Sequence, residues 1–298
     1  MADNREKTIV VMGATGQQGG ATARRLLANG WNVRAFTRDP SGEAAQRLAR
    51  EGARLHEGDM GDRAALDAVM EGAYGAFSVQ PPEWDPSDAA TEKEIRLGRN
   101  VADAALRAGV KHFVYSSVGG ADRQARFRYL AKWEIERHIR SIGLRATVLR
   151  PAGFMESYAS PLFGLKDGKL AEATKPDVPV KLIAVDDIGY FAALAFERPE
   201  RFIGQTLELA GDAPTPLEMA ASLSRALRHP IRYENVPIAA IRSLNETLAA
   251  LYEWLNGEGY EVNFAELRRL HPALMTFDAW LNAKGGPLLE AAVRPKPV

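Results

Sequence analysis

The chain has 298 residues, 46% of them hydrophobic, with 38 lysines and arginines against 38 aspartates and glutamates and no cysteine. A chain of this length buries roughly three quarters of its extended surface, enough for a sizeable core. Zero net charge argues against a general nucleic-acid binder, and the absence of cysteine excludes disulfides, thiolate metal sites and a cysteine nucleophile.

The first residues, MADNREKT, carry no apolar run of signal-peptide type. No segment approaches roughly 18 uninterrupted apolar residues. The expectation is therefore a cytoplasmic protein without membrane association. In chain order, KTIVVM (7–12) reads as a buried strand, and a helix follows from Gln17 to about Ala28, ahead of Asn29-Gly30, which suits a C-cap. WNVRAFTR (31–38) is a second strand, and a helix from about Ser41 to Arg50 is closed by Gly52. ARLHEGD is a third strand, AALDAVMEG a helix ending at Gly72, and YGAFSVQ a fourth strand stopped by Pro81-Pro82. Residues 89–108 form a long helix with Ile95, Ala102, Ala105 and Leu106 on one stripe. HFVYSS (112–117) is a fifth strand, 129–141 a helix and LRATVLRP a sixth strand.

Short apolar strands separated by helices predict an α/β fold built on a doubly wound parallel sheet. Ligands of such sheets bind in the crevice at the strand ends. The rhythm breaks after Pro151: residues 154–179 read as irregular chain over that crevice. Then come VKLIAV, a helix at 188–197, QTLELAG, a helix at about 216–228, IRYENV, a helical region at 238–255 and a last helix in HPALMTFDAWLNA. The expected division is a sheet domain over 1–150 and a smaller, partly interleaved lobe over 151–298.

The first strand runs into VMGATGQQGG. A strand feeding a glycine turn and then a helix aims several backbone N–H groups at one point, which with the helix dipole suits a diphosphate. Gly13 permits the tight turn, Gly16 lets phosphate come close and Gly19 lets the helix pack on the strand. The spacing G-x-x-G-x-x-G matches the commoner G-x-G-x-x-G fingerprint in mechanism only. An NAD site would place an acidic residue at the end of the second strand, but here Thr37-Arg38 stands there, with Asp39 one further on. Arginine's fork pairs with a 2′-phosphate, so NADP(H) is expected, with Arg38 as the determinant; the alternative is a solvent-facing arginine. Asp59 is a candidate for the adenine amine, or else for a helix cap.

The ends of strands four and five, with Gln80 and Ser117, are expected beside the nicotinamide ribose. Lys132 is a candidate for holding ribose hydroxyls or polarising an acceptor. A Tyr-x-x-x-Lys pair would be the natural proton donor, but Arg128 occupies that tyrosine's place, which leaves Tyr129, three residues before Lys132, as a second catalytic candidate. His56, His112 and His138 show no ligand spacing, so no metal site is expected. The run Arg123, Arg126, Arg128, Lys132 meets no nucleic-acid-binding pattern.

With these residues in place, the chain resembles the NmrA-like family of atypical short-chain dehydrogenases, particularly its HSCARG-like, NADPH-sensing members. "VMGATGQQGG", "VRAFTRDP", "GDMGD", "LRPAGFMES", "VDDIGYFAALAF" and "LMTFDAWL" carry the resemblance along almost the whole chain. It implies a Rossmann domain with a small C-terminal α/β lobe. Gly13, Thr15, Gly16, Gln17 and Gly19 match the dinucleotide turn, Arg38 the 2′-phosphate contact, Lys132 the lysine after strand five, and Phe154 the position approaching the nicotinamide. Members of such a family divide into redox-sensing regulators and reductases of quinones or similar acceptors. Two readings stand: an NADP(H)-binding redox sensor with a regulatory protein partner, or an NADPH-dependent reductase of a small quinone-like substrate. Oligomeric state is open.

Overall fold

The computed structural model describes residues 4–81, 87–124, 130–160, 165 and 167–293. Its first half alternates strictly: β1 (Thr8–Val11), α1 (Gln17–Ala28), β2 (Asn32–Thr37), α2 (Glu43–Arg50), β3 (Arg54–Glu57), α3 (Arg63–Met70), β4 (Gly75–Ser78), α4 (Asp88–Arg107), β5 (His112–Ser116), the short α5 (Ala121–Gln124), α6 (Leu130–Ser141) and β6 (Ala146–Pro151). Then come β7 (Gly153–Phe154), β8 (Lys169–Glu172), β9 (Leu182–Ile183), α7 (Val185–Glu197), α8 (Pro199–Phe202), β10 (Thr206–Leu209), α9 (Pro216–Leu227) and β11 (Arg232–Asn235). Last are α10 (Ile238–Leu244), α11 (Glu246–Leu255), α12 (Phe264–Leu270), α13 (Phe277–Trp280) and α14 (Gly286–Val293).

Seven strands form the main sheet, in the order β10-β6-β5-β4-β1-β2-β3. β1 pairs in parallel with both β2 and β4, Val11 lying opposite Ala35 on one side and Phe77 on the other. The strand order therefore reverses beside β1, and the loop after β1 opens into the switch point where ligands of doubly wound sheets bind. β4 and β5 are buried along their whole length, as the central strands of a sheet covered on both faces must be. One face carries a core of Val10, Met12, Leu66, Val101, Tyr115 and Ile135. On the other, α7 lies directly on α1: a Cβ at Gly189 would come within 2.7 Å of the Ala21 carbonyl.

The seventh strand, β10, comes from QTLELAG, which local pattern groups with the second lobe. It joins the main sheet because Val148 N–H reaches the Gln205 carbonyl, 2.9 Å away, a pairing across too much sequence for a local pattern to carry.

The chain divides into two compact units. The first holds the described residues up to 124, 130–150 and 188–207; the second centres on 151–187 and 208–293. The second unit has two small parallel sheets, β7 with β9 and β8 with β11. Its core comprises Met155, Tyr158, Leu170, Met219, Phe277 and Trp280. The helical region expected over 238–255 is two helices because Asn245 leaves the helical conformation and its side chain accepts from Leu248 N–H instead. The single C-terminal helix expected in HPALMTFDAWLNA is likewise divided: Thr276 caps α13, and a π-turn at Leu281–Gly285 leads into α14. Among the described residues, no helix is long and apolar enough to cross a membrane.

Candidate functional site

β1 ends in a turn fixed by backbone geometry. Met12 N–H donates to the Phe77 carbonyl (2.9 Å), and Gly16 N–H closes back on the Gly13 carbonyl (2.9 Å). Gly13 has φ +63, in the left-handed region that favours glycine, and any Cβ there would meet the Val79 side chain at 3.0 Å. Gly19 carries the tightest requirement, since a Cβ would overlap the Gly13 carbonyl. α1 can sit on the turn only while residue 19 has no side chain.

Gly16 is the N-cap of α1 and supplies no side-chain acceptor, and the first turn contains no acidic residue. The leading N–H groups of this helix therefore meet no capping side chain, and the positive end of its dipole is uncompensated. Thr15, Gly16 and Gln17 are exposed while Gly19 is buried against the strand. Such an arrangement is suited to an anion such as a diphosphate.

Arg38 stands directly after β2, exposed, with no ion pair or hydrogen bond from its guanidinium among the described residues. The acid beside it is occupied. Asp39 Oδ1 accepts from Ser41 Oγ (2.6 Å), Ser41 N–H (2.9 Å) and Gly42 N–H (3.0 Å). The Ser41 hydroxyl foremost, and then these amides, hold its carboxyl below the usual carboxylate range. The acidic group is thus turned into the start of α2 while the cation remains free. Asp59 lies two residues beyond the end of β3, and its Oδ1 accepts from Gly61 N–H at 2.7 Å. The cap of α3 is instead Asp62.

Gln80 follows β4, 2% exposed; its Nε2 donates to Ser78 Oγ (3.0 Å), and Oε1 has no partner among the described residues. At the end of β5, Ser116 Oγ donates to Gln18 Oε1 (2.5 Å), tying the strand to the first turn of α1. Ser117 points elsewhere: its hydroxyl donates to Glu136 Oε1 at 2.6 Å. Glu136 is fully buried and is held by Arg150 through a two-point fork, Nε to Oε1 and Nη2 to Oε2, both 2.9 Å. Arg140 adds a third donor (2.8 Å), and Arg150 Nη1 reaches Asp122 (2.6 Å). This fork geometry is arginine's particular strength. The network fastens β5, α5, α6 and β6 together.

Lys132, in the first turn of α6, is paired with Glu94 of α4 at 2.7 Å, both side chains nearly buried, 13% and 12% exposed. Tyr115, fully buried, has a hydroxyl without a hydrogen-bond partner among the described residues. Burial first, and then the charges of Glu94 and Glu136, push its ionisation well up. Tyr129, Arg126 and Arg128 lie outside the described residues. Phe154 is half-buried in the second unit, in β7, paired with Ile183 of β9. In that unit Glu156 accepts from Val185 N–H and Trp280 Nε1, each at 3.1 Å, and Asp187 accepts from Met275 N–H (3.1 Å) beside His271 (2.9 Å).

Sequence reasoning missed Ser116, Glu94, Glu136 and Arg150. Each is an ordinary residue of a strand or helix, and only its partner across the fold gives it a role.

A family model described as the NmrA-like family matches residues 5–281. The NmrA-like family domain-containing oxidoreductase FrzB of Cladobotryum sp is 31% identical over 258 residues, covering 76% of each chain. In structure, the chain is similar to NmrA, a negative transcriptional regulator crystallised in complex with NADP: TM-score 0.80 and 24% identity, covering 97% of this chain and 98% of that one. It is also similar to a new type of NADPH-dependent quinone oxidoreductase from Escherichia coli, with TM-score 0.74 and 25% identity, covering 92% of this chain and 98% of that one.

Proposed function

Since this chain belongs to the NmrA-like family, we propose that it binds NADP(H) and acts as a sensor of the NADPH/NADP balance. The observation that carries the reading is the pairing of an open helix N-terminus behind Gly13, Gly16 and Gly19 with an Arg38 that has no partner among the described residues and whose acidic neighbour is engaged. Gly13, Thr15, Gly16, Gln17 and Gly19 would hold the diphosphate, and Arg38 the 2′-phosphate. Asp59 would face the adenine, and Gln80 and Lys132 the nicotinamide end, with Ser117 contributing through Glu136. When bound, the dinucleotide supplies a hydride at its nicotinamide. The chain's own residues would orient it, with Lys132 paired to Glu94. Arg128 in the place of the tyrosine of a Tyr-x-x-x-Lys pair favours a sensor over a proton-transferring enzyme.

Titration with NADPH and NADH tests the cofactor reading; binding of neither, or equal affinity for both, would overturn it. Sensing requires a protein partner whose affinity differs between cofactor-bound and free states, since linkage is reciprocal. Equal partner affinity in the two states would remove the sensor.

The description of a 31% identical relative as an oxidoreductase favours a second reading, NADPH-dependent reduction of a quinone-like acceptor. Reduced quinones take protons from solvent, so this chemistry tolerates the missing Tyr-x-x-x-Lys pair. NADPH consumption across a quinone panel no faster than the cofactor's background oxidation would reject it.

A further inference from the structure

Arg24 stands in the middle of α1, exposed, with its guanidinium folded back along the helix towards the first turn. Nη1 and Nη2 lie 3.3 and 3.7 Å from the point where a Cβ on Gly20 would be, and the carbonyl of Ala14, inside the glycine turn, is 3.2 Å from that same point. The cation is thus laid beside the start of α1, in space that glycine at 20 leaves open. Like Arg38, Arg24 has no hydrogen bond or ion pair among the described residues.

The packing of α1 fixes the direction in which this side faces. On one side Ala21 lies against Gly189 of α7, and the Arg25 guanidinium sits over the Tyr190 ring at 5.2 Å. On the other, Leu27 Cδ2 comes within 3.8 Å of where Gly52, just past α2, would carry a Cβ. Gly20, Arg24 and Leu27 follow the i, i+4, i+7 rule, so they share the side turned from α7 towards α2. Helices that connect parallel strands start at the C-terminal edge of the sheet, and α2 is preceded there by Arg38–Gly42. The gap between the first turn of α1 and that loop is therefore flanked by two guanidinium groups, Arg24 from the helix and Arg38 from the strand end. The acids bordering it are engaged: Asp39 with Ser41 and Gly42, and Glu43 with Arg47 at 2.7 Å.

Resting on the cofactor reading above, we infer that Arg24 is a second contact for the 2′-phosphate of NADP(H), reaching it from α1 while Arg38 reaches it from β2. A phosphate monoester carries about two negative charges and three acceptor oxygens at neutral pH, more than one guanidinium fork satisfies. With the diphosphate at the start of α1, the adenosine ribose falls between that helix end and the end of β2, which is the gap the two arginines border. NADH presents a hydroxyl at that point and gives Arg24 no charge to pair with. Arg24 is thus a specificity-determining residue that adds to the preference for the phosphorylated dinucleotide without gripping the diphosphate.

The test measures dissociation constants for NADPH, NADH, adenosine 2′,5′-bisphosphate and AMP by calorimetry in the wild type, Arg24→Gln, Arg38→Ala and the double variant. Arg24→Gln is expected to weaken NADPH and adenosine 2′,5′-bisphosphate about three- to tenfold, the scale of one solvent-accessible charge-assisted contact, and to leave NADH and AMP within about twofold. The double variant is expected to bind NADPH no more tightly than NADH. Equal loss for NADPH and NADH in Arg24→Gln would place the guanidinium on the diphosphate, and no loss for either would leave it a solvated surface group; each result overturns the inference. Should Arg24→Gln fail to fold, Arg24→Leu is read in the same way. A wild type that binds neither dinucleotide, or both equally, would bring down the cofactor reading itself, whereas an NADPH preference lost in Arg38→Ala but unmoved in Arg24→Gln would sink only this inference.

Discussion

His112 Nε2 lies 2.7 Å from Thr147 Oγ1, with both residues wholly buried between β5 and β6. Thr147 donates its own proton to the Phe202 carbonyl at 2.7 Å, so its oxygen must accept from the imidazole. The ring is therefore the neutral Nε2–H tautomer. Its Nδ1 has no hydrogen-bond partner among the described residues, and Phe196 meets the ring edge-on at 5.3 Å.

That tautomer makes stability depend on pH. Burial first, and then the charge of Arg145, lower the His112 pKa from 6.5 to about 4. Above 6.5 neither state carries the proton, and the stabilisation is complete. As pH falls from 6.5 towards 4 the unfolded chain takes up a proton that the folded chain refuses, and stability is lost, by at most about 3 kcal/mol. Chemical denaturation across this window should show the loss, and His112→Gln, which keeps a donor for Thr147, should flatten the slope. An unchanged slope in that variant would place the titration elsewhere.

Arg38→Ala should weaken NADPH binding roughly ten- to a hundredfold, the scale of one or two charge-assisted hydrogen bonds, while leaving NADH affinity nearly unchanged. Calorimetric titration of both nucleotides reads the difference. Equal loss for both would mean that Arg38 contacts something other than the 2′-phosphate.

Two glycine replacements separate a close approach from a backbone preference. Gly19→Ala forces α1 off the Gly13 carbonyl and should cost about 3 kcal/mol, with loss of nucleotide binding. Gly30→Ala meets nothing within 4 Å and is strained only by its φ of +80. It should cost about 1 kcal/mol and leave binding intact. Thermal unfolding and a binding titration on each variant check both statements.

Arg150→Met leaves Glu136 in the interior with, among the described residues, only the half-exposed Arg140 to meet its charge. Removing one partner of a buried pair costs about 3–5 kcal/mol, whereas replacing both by apolar groups is often close to neutral. The double variant Glu136→Leu/Arg150→Met should accordingly recover most of the stability lost in Arg150→Met. Urea unfolding of the three proteins decides; a double variant no more stable than the single one would show that the network has no such coupling.

The glycine turn was legible because glycine's roles there are local: a left-handed residue at 13 and a close crossing at 19 sit within one strand–turn–helix segment. The position of Arg38 was legible for the same reason, directly after a strand whose period is plain. Asn245 is a limiting case, since its preference for capping is local but competes with a strong helical pattern on either side. Ser117 reads as one of two adjacent serines at a strand end. Nothing nearby says that its neighbour Ser116 turns to Gln18 while Ser117 itself turns to Glu136.

Alternation of apolar strands with helices, together with the spacing of Gly13, Gly16 and Gly19, determined by sequence alone that this chain folds as a parallel α/β sheet with a tight glycine turn after its first strand. These are consequences of backbone geometry and side-chain period, which act over a few residues. Only the tertiary structure decided which charges meet, Lys132 with Glu94 and Arg150 with Glu136, and that Asp39 turns to Ser41. It also decided that Thr206–Leu209 completes the main sheet. Such pairings join segments far apart along the chain, and their energy depends on burial and orientation that exist only after the layers have packed.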